Sequence, residues 1–189
     1  RKHKKIILFD MDGTLTEPRK KFDNNLLNPL RKLANKADIG IVSGSDYEYI
    51  YQQMEHVLVS SELRYKLHIL PCNGTKYYKP PLQSENKHEL VHNNDMKLEL
   101  GHKTFQKLMV DIIETQAKLN LHKIPLTGHF IQYRGSMINW CPIGRNANEK
   151  ERSQFVEFDN SSSPSFRAMV LEQLKRKFSV YGVQVEVKL

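Results

Sequence analysis

Cysteine is nearly absent from this 189-residue chain: Cys72 and Cys141 are the only two. Two thiols make no disulfide framework, so a reducing compartment fits and both are expected to be structural. Long apolar runs are missing as well, and no stretch approaches the ~20 residues that a membrane span needs. After Arg1-Lys2-His3-Lys4-Lys5 comes only Ile6-Ile7-Leu8-Phe9, too short for a signal peptide and without a small-residue cleavage site. The expectation is a cytoplasmic protein with no membrane partner. Zinc-finger spacing, RNP-type aromatic runs and internal repeats are lacking too. The net charge of +8 would suit nucleic acid if the lysines lay on one face. They are spread along the chain instead, so no nucleic-acid partner is expected and a small anionic substrate accounts for the charge equally well. Hydrophobic residues at 39% and charged residues at 26% are ordinary for a globular protein, and the length allows one ordinary domain or two small ones.

Residues 6–9 form an apolar run that ends abruptly at Asp10, with Gly13 three residues on, which predicts a buried strand feeding a tight loop. Leu26, Leu30, Leu33, Ala34 and Ala37 recur at helical spacing, and Asn28-Pro29 suits an N-cap and first-turn proline. A second strand over 39–42 stops at Ser43-Gly44-Ser45-Asp46. Tyr47, Ile50, Tyr51 and Met54 then line a helix that Ser45 or Asp46 would cap. A third strand over 67–70 ends at Pro71-Cys72-Asn73-Gly74. This alternation predicts a parallel sheet with its ligands at the carboxyl ends of the strands. Beyond Lys79-Pro80-Pro81, residues 83–94 show no period and read as a linker or surface excursion.

A second unit follows. Phe105, Leu108, Met109, Ile112, Ile113 and Leu119 make an amphipathic helix, and residues 129–134 and 137–142 flank Gly135-Ser136, a hairpin signal of the Gly-first type. A helix beginning near Ser163-Pro164 would bury Phe166, Met169, Val170 and Leu174. Val183, Val185, Val187 and Leu189 alternate with polar residues as a half-buried strand. The expected fold class is α/β, a parallel-sheet core over residues 1–79 followed by an α+β unit over residues 80–189.

Asp10-Met11-Asp12-Gly13-Thr14-Leu15-Thr16 lies where the first strand meets its loop, so two carboxylates emerge together at the sheet edge. One carboxylate can attack phosphorus and hold the phosphoryl group covalently while its neighbour gives and takes a proton. The same pair suits Mg²⁺, which binds one or two carboxylates with substrate phosphate and keeps its waters. A calcium loop does not fit, because Thr14, Leu15 and Thr16 follow where further acids are required. In the second unit three arginines punctuate one segment. Arg134 ends one hairpin strand, Arg145 leaves the other, and Arg152 falls in the first turn of a helix that Asn148 and Glu151 would cap. Guanidinium forks suit phosphate, although any one of these arginines taken singly reads equally as a solvated side chain.

The segment from Asp10 to Thr16 resembles the nucleophile motif of the haloacid dehalogenase superfamily, which implies that Asp10 is the nucleophile and Asp12 the general acid and base. Ser43-Gly44-Ser45 resembles that superfamily's second motif, where a hydroxyl and a backbone N–H hold the transferring phosphoryl group; Ser45 is the candidate and Ser43 its competitor. The segment from Gly128 to Arg145 with Glu149-Lys150-Glu151-Arg152 resembles the substrate-binding cap of eukaryotic phosphomannomutases, and the likeness extends to Pro18-Arg19, Asn73-Gly74 and the helix around Leu171. It implies a haloacid-dehalogenase-like Rossmannoid parallel-sheet core with an α+β cap domain, and substrate contacts from Arg19, Arg134, Arg145 and Arg152. It further implies magnesium at Asp10 and Asp12, a hexose 1,6-bisphosphate activator, a phosphosugar substrate and a homodimer joined through the caps.

The chain departs from that family at several points. Gly135-Ser136 stands for Asn-Gly, Trp140-Cys141 for Val-Ser, Cys72 for a glutamate and Ser43 for a glycine, and the polar excursion around residues 84–102 is long. The chain also stops at Leu189, where the family returns to the core with a lysine and further acidic magnesium ligands, so residues 1–189 are expected to be part of a longer protein. The activity expected is interconversion of mannose 6-phosphate and mannose 1-phosphate through an aspartyl-phosphate. The alternatives are a sugar-phosphate phosphatase of the same superfamily and a non-catalytic phosphosugar-binding protein.

Overall fold

The computed structural model describes residues 5–119 and 124–179, so the expected strand over 183–189 lies outside the described residues. The described residues fall into two units, one ending at Asn94 and one beginning at Asp95.

The first unit is built on a five-stranded sheet in the order β1-β2-β3-β4-β5. β1 (Ile6–Asp10), β2 (Asp38–Val42) and β3 (Leu67–Leu70) run parallel. α1 (Leu27–Ala34) links the first two and α2 (Tyr47–Glu55) leads toward the third. β2, flanked by β1 and β3, has Ile39 and Ile41 fully buried and packs with Ile50, Met54, Leu67 and Ile69 in one core. β1 forms as expected but is not buried: Ile6, Ile7 and Leu8 are exposed, because among the described residues it is an edge strand. α1 opens one residue before the expected Asn28 cap, after a short 3₁₀ turn that Asp23 caps. Pro29 still sits within the first turn, where its missing N–H has no intrahelical partner to lose. Asp46, not Ser45, caps α2, accepting from the Tyr49 N–H at 2.9 Å.

The boundary expected at residue 79 lies instead after residue 94. β4 (Lys76–Lys79) and β5 (Glu89–Asn93) form an antiparallel hairpin that joins the sheet through β3. Every residue of β5 is exposed, so no hydrophobic alternation marks it and the segment reads as a linker. Backbone pairing and the Lys79–Glu89 ion pair at 2.6 Å hold it to the sheet.

The second unit packs α3 (Met96–Leu100), α4 (His102–Ala117), α5 (Glu149–Asn160) and α6 (Phe166–Ser179) with a hairpin of β6 (Ile131–Tyr133) and β7 (Ile138–Trp140). Its core comprises Leu108, Ile112, Leu119, Ile124, Ile143, Phe155, Val170, Leu174 and Phe178. Ile113 and Met169, expected inside, are exposed, because each lies one residue off the buried stripe of its helix. The hairpin turns at Gly135-Ser136 as expected, with Arg134 N–H donating to Met137 O at 2.9 Å and Gly135 at φ +79°.

Candidate active site

The register of the parallel strands sets Asp10 level with Val42 of β2, and Val42 level with Leu70 of β3. The loops that carry Asp12, Ser45 and Asn73 therefore leave the sheet at one edge. The first is held tightly: the Met11 carbonyl accepts from the N–H groups of Thr14, Leu15 and Thr16 at 3.0–3.2 Å, and Gly13 N–H donates to Thr16 O at 2.7 Å. Gly13 has φ +83°, and a Cβ there would meet nothing within 4 Å. Its glycine is therefore a requirement of backbone conformation, which costs an L residue roughly 1–2 kcal/mol, and not of space.

Asp10 is exposed and Asp12 half-buried. The Tyr49 hydroxyl donates to Asp12 Oδ1 at 3.1 Å, and Arg19 lies near enough to act on the same phenol. Arg19 itself is exposed, with φ +64°. Desolvation, followed by the Asp12 charge, pushes the Tyr49 pKa above its ordinary value. Tyr49 was not foreseen as a site residue. The usable signal was its place in the first turn of α2, the turn that starts at the sheet's carboxyl edge.

Ser43 is buried at 2% exposure, and its Oγ accepts from Ser45 N–H at 3.1 Å while its carbonyl accepts from Asn73 N–H at 2.9 Å. It is scaffold to the turn. Ser45 is half-buried, and among the described residues its hydroxyl has no hydrogen-bond partner. Cys72, Asn73 and Gly74 all have positive φ at the end of β3, a strained turn of the kind that gathers at functional sites. Among the described residues no group of three or more His, Cys, Asp or Glu assembles for a metal. The donor set at this edge is Asp10 and Asp12, which fits Mg²⁺ because that ion needs only one or two carboxylates beside waters and substrate phosphate.

Arg134 and Arg145 of the second unit share one acceptor, and Arg152 bonds to the backbone beside Arg145. Gln132 Oε1 accepts from Arg134 Nε at 3.2 Å and Nη2 at 3.0 Å, and from Arg145 Nη1 at 2.8 Å. Arg152 donates from Nε to Ala147 O at 2.9 Å and from Nη2 to Arg145 O at 3.0 Å, so it braces the loop that carries Arg145. That loop also depends on Gly144, whose Cβ would lie 2.3 Å from Gly128 O. α5 starts with the expected capping box of Asn148 and Glu151. The unusual Trp140 is accommodated: its indole N–H donates to Gln116 Oε1 at 2.6 Å, and Gln116 Nε2 donates to Pro142 O at 3.0 Å, tying the hairpin to α4. Gln132 was also unforeseen, although it stands two residues from Arg134 on one strand and so shares its face.

The sequence matches the family model for eukaryotic phosphomannomutase over residues 26–188. It is 34% identical to phosphomannomutase 1 of Mus musculus, over 97% of this chain and 65% of that protein. It is also 34% identical to phosphomannomutase of Saccharomyces cerevisiae, over 96% of this chain and 66% of that one. The chain thus spans about two thirds of the length of these relatives. In fold it resembles Plasmodium falciparum IMP-nucleotidase with a TM-score of 0.56 at 15% identity, covering 97% of this chain and 49% of the other, a likeness of fold alone. The match across most of the sequence, on a fold that carries the Asp10–Thr16 loop and the arginine-bearing hairpin, establishes that this chain belongs to the eukaryotic phosphomannomutase family.

Proposed function

We propose that the protein to which this chain belongs is a phosphomannomutase, an isomerase that interconverts mannose 6-phosphate and mannose 1-phosphate and so supplies mannose 1-phosphate for GDP-mannose synthesis. The observation that carries this reading is the clustering of Arg134, Arg145 and Arg152 on one hairpin and the helix after it. A mutase needs an anion site separate from its nucleophile, because the substrate turns over as a hexose bisphosphate and must be held by whichever phosphate is not reacting. In this scheme the Asp10 carboxylate attacks phosphorus and the sugar oxygen leaves. Asp12 gives the proton to that oxygen, later takes one from the hydroxyl that attacks the aspartyl-phosphate, and thereby returns Asp10 to its carboxylate. Ser45 and Arg19 would hold the transferring group and the substrate. Asp10 and Asp12 would hold Mg²⁺, which when bound offsets repulsion between the anionic nucleophile and the anionic phosphate. A hexose 1,6-bisphosphate would serve as activator by charging Asp10. A cytoplasmic homodimer joined through the second units completes the proposal.

The test is steady-state kinetics on the full-length protein with a hexose monophosphate and with a small aryl phosphate, which has no second anionic end. Arg134→Ala and Arg145→Ala should each lower kcat/KM for the sugar phosphate by roughly ten- to a hundredfold, from about 1.5–3 kcal/mol per charge-assisted contact, with a much smaller loss on the aryl phosphate. Equal losses on both substrates would return the protein to a phosphatase or a binding protein.

A further inference from the structure

We infer that Gln132 is a positioning residue that assembles the second anion site before any ligand arrives. This rests on the reading of Arg134 and Arg145 as ligands of the distal phosphate and adds the residue that brings them together. Arg134 stands at the tip of the hairpin, just past β6, and Arg145 in the loop between β7 and α5, and their guanidinium charges repel each other. The Gln132 amide oxygen receives three N–H groups from the two, at 2.8–3.2 Å. The amide is neutral, so it orders both forks without cancelling either charge. Arg152 does the complementary work on the backbone, through its bonds to Arg145 O and Ala147 O. The main chain of Arg145 is thus set by Arg152 and its side chain by Gln132. Its strand neighbour Ile131 packs against the core, so Gln132, next along the strand, is directed to the opposite face. Among the described residues Arg145 Nε and Nη2 have no protein partner, and with Nη1 seated on Gln132 they are held ready for phosphate oxygens.

Without the acceptor the two arginines must be ordered by the ligand itself, and ordering each such side chain costs binding energy. Gln132→Leu in the full-length protein should therefore raise KM for a hexose monophosphate about tenfold while changing kcat little, the conversion of roughly 1.4 kcal/mol of lost preorganisation. Gln132→Glu keeps an oxygen at the same place and should restore KM to within about threefold of the parent, because ordering is retained although one charge is offset. Should Gln132→Leu lose the near-ultraviolet signal of Trp140, Gln132→Met, unbranched and equally long, carries the same expectation. Arg134→Ala is measured alongside. If Arg134→Ala raises KM for the sugar phosphate and the apolar Gln132 variants leave it unchanged, Gln132 has no positioning role and the anion site stands. If Arg134→Ala also leaves it unchanged, the reading of the arginines falls and this inference with it. A loss of kcat in the Gln132 variants equal on sugar and aryl phosphates, not recovered in Gln132→Glu, likewise overturns the assignment.

Discussion

Asp12 is held at the sheet edge by a phenol from another element, the hydrogen bond from Tyr49, 37 residues along the chain. The motif around Asp10 and Asp12 was legible because its residues are contiguous and its apolar strand points to its position. Tyr49 was not, since a contact across that separation leaves no local pattern. The expected division of labour follows from the chemistry. Asp10→Asn should abolish phosphoryl transfer with the fold intact, because the amide keeps the shape and loses the nucleophile. Asp12→Asn should form the aspartyl-phosphate slowly and resolve it poorly, since proton transfer of this kind is worth roughly 10²–10⁴-fold. Tyr49→Phe removes a hydrogen bond to a charged group, worth about 1.5–3 kcal/mol, so kcat should fall roughly ten- to a hundredfold with KM little changed. Acid-quench trapping of the phosphoprotein reads all three: none in Asp10→Asn, accumulation in Asp12→Asn, intermediate accumulation in Tyr49→Phe. Equal trapping in the two aspartate variants would refute separate roles.

At the scale of elements, legibility tracked apolar pattern: β1 shows as an apolar run although Ile6, Ile7 and Leu8 are exposed. β2 and α4 show in the sequence because one face of each is buried and apolar, whereas β5 is exposed along its length and depends on backbone pairing that side-chain pattern does not reveal. The loop before β5 is fixed by His88, whose Nε2 lies 2.8 Å from Leu67 O; a carbonyl accepts only, so Nε2 carries the hydrogen and further protonation falls on Nδ1. Desolvation and the neighbouring His68 push the His88 pKa below 6.5, and the bond to Leu67 O offsets this only in part. With the folded pKa below the unfolded one, the unfolded chain binds more protons across that interval and stability rises with pH there. The contribution is thus complete above about pH 6.5 and lost as pH falls toward the lowered folded value. Urea midpoints for the first unit should drop between pH 7.5 and 5.5, and drop less in His88→Gln, which keeps an N–H for Leu67 O and does not titrate. Identical slopes in the two proteins would exclude His88 as the source.

At the scale of the whole chain, the division into two units was legible from composition, but its position was not. The cue at Lys79-Pro80-Pro81 marks a turn inside the first unit's sheet, since chain direction reverses there without leaving the fold. The two hydrophobic clusters have no residue in common, one running from Met11 to Ile69 and the other from Leu108 to Phe178. A cavity made in one should therefore weaken that unit first. Leu174 is 5% exposed in the second core, and Leu174→Ala should cost about 2–5 kcal/mol through lost burial and the void left behind. Trp140 is the chain's single tryptophan and lies in that unit, so its fluorescence reports the second unit alone. Its urea midpoint should fall by roughly 1–2.5 M, given a slope of about 2 kcal/mol/M for a unit of this size. Hydrogen exchange at Ile39 and Ile41 in β2 reads the first core, and their protection should be unchanged in Leu174→Ala at low urea. Loss of that protection in step with the Trp140 transition would mean that the two cores unfold as one cooperative body, in spite of their separate membership.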